Sequence, residues 1–137
     1  MSDPAVTVAA IRTNYGPEEE RALAAYGDLI TALTGAGLHP YVETRGGLAV
    51  CALTEDGSVI AVASGDALPL DRARLMGWHV THVPEDDVAP SWRCRILDTT
   101  PTDPADENPG NLALIPVTTA VKAHLVSCPH FHPRAAA

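Results

Sequence analysis

The sharpest patterning in the chain lies at residues 48–64, LAVCALTEDGSVIAVAS, where two apolar runs flank a polar corner at Glu55-Asp56-Gly57-Ser58. Asp-Gly between apolar, partly β-branched runs predicts a hairpin, because both central turn positions tolerate positive φ. Successive strand residues point to opposite faces, so Leu48, Val50 and Ala52 share one face and Ala49, Cys51 and Leu53 the other. Both faces are apolar. Such a hairpin belongs in the middle of a sheet, with helices over one face and a second layer or a partner over the other.

The pattern extends in both directions. Pro17 followed by Glu18-Glu19-Glu20 places a proline in a first turn and three carboxylates at the positive end of a helix dipole. Ala22, Tyr26, Leu29, Ile30 and Leu33 then recur at helical spacing and Gly35 and Gly37 end the run, which predicts one helix over 17–35. Residues 38–44 read as a strand preceding the hairpin, giving a meander of 38–44, 48–54 and 58–64. Residues 66–77 allow only a short helical turn. Alternation over 78–83 and again over 92–97, with Trp92, Cys94 and Ile96 inward, predicts a fourth and a fifth strand. Val117, Ala120, Val121, His124 and Leu125 fall on one face of a helix over 116–126, with Pro116 at its start. Residues 1–13 read as a short edge strand or an arm, 98–111 as an acidic, Pro-rich solvated loop, and 127–137 as a patternless tail. The sum is a single α+β domain: an antiparallel sheet of four to five strands in a meander, with an N-terminal and a C-terminal helix.

Composition narrows the functional classes. A net charge of −8 opposes general binding to nucleic acid or to an anionic membrane. No run approaches the roughly 18 apolar residues of a membrane span, and the N-terminus lacks the pattern of a secretory signal. Cys51, Cys94 and Cys128 are odd in number and far apart, which favours reduced thiols and a cytoplasmic setting over a disulfide framework. With one Phe, two Trp and three Tyr, the core rests on Ala, Val, Leu and Ile. Two helices cannot shield a sheet that is apolar on both sides. The first functional expectation is therefore a non-enzymatic interaction or regulatory module, self-associating as a homodimer through its sheet or joined to a protein partner.

Candidate chemistry is sparse. Cys128, His130 and His132 cluster in the tail, and alternate positions of an extended segment share one side. Thiolate and imidazole are ligands that zinc prefers, and a closed site wants four, so Cys94, His124 or His82 would have to join. No C-x-x-C or H-x₃-H pair is present, and a solvated tail explains the same residues. His79 and His82, three apart on a strand, project from opposite faces and do not chelate one ion together; either could shuttle a proton near Glu85. A cleft beneath Trp78 and Trp92, with His79, Arg93 and Arg95 as its polar groups, would suit a small acidic or phosphorylated ligand. The acidic runs 85–87 and 98–107 lack the order of a calcium loop, and neither a G-x-S-x-G elbow nor a phosphate-cradling glycine motif occurs. Enzymatic chemistry is not expected, no cofactor is required, and zinc is the alternative.

Overall fold

Strands β1 (His39–Glu43), β2 (Ala49–Leu53), β3 (Val59–Ala63), β4 (His79–Val83) and β5 (Cys94–Asp98) pair in chain order as one antiparallel meander. The computed structural model describes residues 3–44, 47–64, 67–84, 91–101 and 112–131, among which four helices accompany the sheet. These are α1 (Pro4–Thr13), α2 (Pro17–Ala25), α3 (Gly27–Gly35) and α4 (Ile115–Ser127). The class is α+β, as the patterning predicts.

Register follows from the alternation. Val42 opposes Val50, Val50 opposes Val62 and Val62 opposes Val80, so one face is continuously apolar. Against it pack Ala22 and Tyr26, Leu29 and Leu33 of α3, and Val117 and Val121 of α4, all fully buried. The hairpin corner departs from a two-residue turn. The Thr54 amide donates to the Ser58 carbonyl (2.9 Å) and the Gly57 amide to the Thr54 carbonyl (3.2 Å). Gly57 alone takes positive φ there, at 85°. This is a three-residue loop closed by a left-handed glycine, and Asp56 is left facing inward along the turn.

Two expectations need correction. Residues 4–13 form a helix, not an edge strand or arm. Asp3 caps it by accepting from the Ala5 amide (2.9 Å), and Pro4 sits in its first turn, a pairing that starts helices. Val8 of α1 buries against Tyr41, Cys51 and Val59, the second apolar face of the hairpin. Of the two covers expected for that face, a layer from the N-terminal segment or a second copy of the chain, α1 supplies the first over these residues. Beyond β3 that face turns polar: Thr81 opposes Arg95, and His79 lies 3.4 Å from Asp98.

The helix read as 17–35 is two, broken at Tyr26. The lost rung is compensated on both sides. Leu29 donates its amide to the Asp28 carboxylate (2.9 Å), and Arg72 donates to the Ala25 carbonyl (3.0 Å). Arg72 also forks onto both Asp28 oxygens, at 2.7 and 2.9 Å, and lies over the rings of Tyr26 and Trp78. Its partner arrives from 44 residues away, which no local periodicity can register.

The outer edge of β1 is tied. The Val42 amide donates to the Tyr15 hydroxyl (2.7 Å) and Arg12 donates to the Pro40 carbonyl (2.7 Å), which satisfies edge groups of β1 that would otherwise invite another strand. Where β4 begins beside the end of β5, the Thr99 amide donates to the Trp78 carbonyl (2.8 Å), and the chain passes so close to Gly77 that a Cβ there would lie 2.5 Å from the Thr99 oxygen.

β5 carries the irregularity that matters most. Leu97 opposes Val80, yet Arg95 opposes Thr81 and Cys94 opposes His82, so Ile96 is an extra residue in β5. Such a bulge re-aims the side chains beyond it. Without it Arg95 would face His82; with it Cys94 does.

Candidate metal centre

His82 is fully buried on the core face of β4, and Cys94 opens β5 directly across from it. α4 crosses this end of the sheet. His124 lies in its last turn and Cys128 is its C-cap residue, in extended conformation, four positions on. Residues four apart on a helix share a face, so the end of α4 presents an imidazole and a thiol together. The ligand atoms of His82, Cys94, His124 and Cys128 all lie within 4.8 Å of one another.

Three of the six separations lie close to the edges of a tetrahedron around zinc, and the others stay within 4.8 Å. With Zn–S near 2.3 Å and Zn–N near 2.05 Å, such edges are about 3.8 Å for S···S, 3.6 Å for S···N and 3.3 Å for N···N. Here Cys94 Sγ and Cys128 Sγ are 4.0 Å apart, Cys128 Sγ and His82 Nδ1 3.6 Å, and His82 Nδ1 and His124 Nε2 3.1 Å.

A second layer fixes the key imidazole. Ser58 Oγ lies 2.8 Å from His82 Nε2 and 2.5 Å from the Asp56 carboxylate, which also accepts from Thr54 Oγ1 (2.6 Å) and from the Ser58 amide (2.9 Å). Ser58 has one hydroxyl proton, and the carboxylate, an acceptor only, takes it. The Ser58 oxygen must then accept from His82 Nε2–H. That sets the tautomer: the Nδ1 lone pair of His82 points at His124 and Cys128. A histidine whose remote N–H is held by a carboxylate-anchored partner is the usual support of a metal ligand. The three-residue hairpin loop therefore serves the site, because it turns Thr54, Asp56 and Ser58 toward β4.

Electrostatics keep both imidazoles neutral. Burial pushes His82 down to about 4, helped by neighbouring His124 and opposed by Asp56. Burial, then His130, lowers His124. Burial and the adjacent Cys128 raise the Cys94 thiol, so a cation must displace protons from sulfur to bind. One consequence holds for the metal-free protein. The unfolded chain protonates His82 near its ordinary 6.5, whereas the folded chain refuses that proton until about pH 4. Stability is then full above about pH 6.5 and declines as pH falls toward 4, by roughly 1–3 kcal/mol. Urea unfolding at stepped pH in a chelating buffer measures this, and a flat profile between pH 7 and 4.5 contradicts it.

Comparison with protein-family models, curated proteins and solved structures finds no match for this chain. The site must speak for itself.

Of the residues expected to bind metal, Cys128 is in the cluster, and all three suggested completing ligands, His82, Cys94 and His124, join it. His130 does not. Its ring stacks on Trp92, with centroids 4.4 Å apart and planes 11° from parallel. An extended tail would place it beside Cys128, but α4 runs to Ser127, and the four-residue helical step selects His124 instead. His132 lies outside the described residues, as do Glu85 and the acidic stretches 85–87 and 102–111. Trp92 packs edge-on against His82 at 4.7 Å, so it roofs the cluster. Trp78 is sealed in the main core against Tyr26 and is not open to a ligand. His79 faces Asp98 on the opposite side of the sheet from His82, and Arg93 and Arg95 are exposed. The Trp78–Trp92 cleft is thus not assembled: its five residues divide between core, roof and surface. The legible signal was His124-x₃-Cys128, a mixed pair at helical spacing.

Proposed function

We propose that this chain is a small zinc-binding domain in which His82, Cys94, His124 and Cys128 hold one ion as a structural clamp. The convergence of two thiols and two neutral imidazoles within 4.8 Å, three of their separations near tetrahedral edge lengths, from β4, β5 and the end of α4, carries the reading. An S₂N₂ tetrahedral set suits zinc rather than calcium or magnesium. Four protein donors leave no open position for substrate, so the ion's role is structural and the reading is non-enzymatic. Thiolate ligation also requires reduced cysteines, in keeping with a cytoplasmic setting. What the clamp supports is an acidic interaction module. The homodimer version of that idea has less behind it, because α1 buries the second face over Tyr41, Cys51 and Val59.

Elemental analysis of untagged protein, purified without chelator, tests this. About one zinc per chain is expected, and cobalt substitution should give the intense thiolate-to-metal absorption of a tetrahedral S₂N₂ site. Cys128→Ala should reduce bound zinc severalfold. Zinc well below stoichiometry after refolding in its presence, or a Cys128→Ala variant that keeps it, overturns the reading.

A further inference from the structure

We propose that Cys94 and Cys128 form a hydroperoxide-sensitive pair, whose oxidation to a disulfide expels the metal from the centre. The inference rests on the zinc reading above and adds a regulation to it. The two sulfurs are neighbours at 4.0 Å, and they differ in access: Cys94 is partly exposed, Cys128 is buried. The third cysteine, Cys51, is buried on the opposite face of the sheet against Val8 of α1. Oxidation is therefore directed to one pair.

Ligation keeps both sulfurs as thiolates, the form that reacts with peroxide. The more accessible Cys94 sulfur attacks one peroxide oxygen. The O–O bond breaks, a sulfenic acid forms, and hydroxide leaves. Cys128 then attacks the Cys94 sulfur, forming S–S and displacing a second hydroxide. The sulfurs lose two electrons, hydrogen peroxide gains them, and two protons from solvent complete two waters. The sulfurs must close from 4.0 Å to about 2.05 Å, shorter by far than a tetrahedral S···S edge. Disulfide and tetrahedral site are mutually exclusive, so the ion is left with two imidazoles and dissociates. Cys128 can make this movement without unwinding α4, because it is already in extended backbone beyond the last helical residue, Ser127, and precedes Pro129. The new bond joins β5 to the end of α4, so the helix stays docked after the metal has gone. That separates oxidation from chelation, which removes the metal and leaves nothing in its place.

Full-length protein loaded with zinc is titrated with hydrogen peroxide in the presence of a chromogenic zinc indicator, with thiols counted in parallel. Before peroxide, stoichiometric zinc must be present; if it is absent, the zinc reading fails and this proposal with it. On oxidation, one zinc per chain should appear as two of the three thiols are lost. Peptide mapping should find Cys94 linked to Cys128, and dithiothreitol should restore both thiols and zinc binding. Cys51→Ser should behave like the parent. Zinc retained while thiols are consumed, or release accompanied by sulfonic acid or by cross-links through Cys51, overturns the proposal and leaves the zinc reading standing.

Discussion

Chelation under reducing conditions is expected to lower the melting temperature by about 10–15 °C and to loosen only the C-terminal part of the fold. A ligand present at a thousand times its dissociation constant stabilises the native state by about 4 kcal/mol, and structural zinc commonly exceeds that. At this chain length each kcal/mol moves the midpoint by about 3 °C. The loss should be local because α4 has little else to hold it. It buries only Val117 and Val121 and leaves Ile115 and Val126 exposed, and it packs chiefly against β5, itself only half-buried. The opposite end of the sheet is secured by α2 and α3, by Arg72 on Asp28, and by α1 over β1. Amide exchange should therefore accelerate in β5 and α4 on chelation and stay slow in β1–β3. Uniform acceleration, or no change in melting temperature with stoichiometric zinc removed, contradicts the clamp.

The difference between the two ends of the molecule also explains what was legible in the sequence. The meander could be read because alternation and turn chemistry agree: 48–54 and 58–64 bracket Asp56-Gly57, and the strands fall within those bounds. The segment 5–12, AVTVAAIR, reads as an edge strand or arm because its β-branched residues suit extended chain; the helix signal lies just before it, in the capping pair Asp3-Pro4. Packing decided, since only a helix places Val8 over Tyr41, Cys51 and Val59. That one segment covers part of the second apolar face, over Tyr41, Cys51 and Val59.

The candidate metal centre is half visible for a related reason. Its two donors from the end of α4 are local in sequence, His124-x₃-Cys128, whereas His82 and Cys94 are brought opposite each other by the bulge at Ile96. A regular β5, with Cys94 and Ile96 on one face and Arg95 on the other, would align Cys94 and His82 only if Ile96 opposed Val80. The chain instead inserts Ile96 and lets Leu97 fill the core beside Val80. Periodicity cannot announce a one-residue slip. Nor could it announce that the hairpin corner, read as a turn, would supply Asp56 and Ser58 to orient the buried histidine.

Substituting His82 and Cys94 separately should divide the site into its two layers. His82→Ala removes a metal donor, empties a fully buried ring volume, and leaves Ser58 and Asp56 without the group they were arranged to hold. Cavity and lost hydrogen bond together cost about 2–4 kcal/mol even with no metal present, on top of the zinc contribution. Cys94→Ser changes little volume and touches no such network, since the Cys94 sulfur meets Cys128 only at a weak 4.0 Å contact. Its cost should be the zinc contribution alone, about 4 kcal/mol. With saturating zinc both variants melt well below the parent. In chelator the parent falls to meet Cys94→Ser, within about 0.5 kcal/mol by urea unfolding, while His82→Ala stays below both. If Cys94→Ser remains as far below the parent in chelator as in zinc, its sulfur is a packing group and not a ligand, because only a metal-dependent role disappears when the metal does.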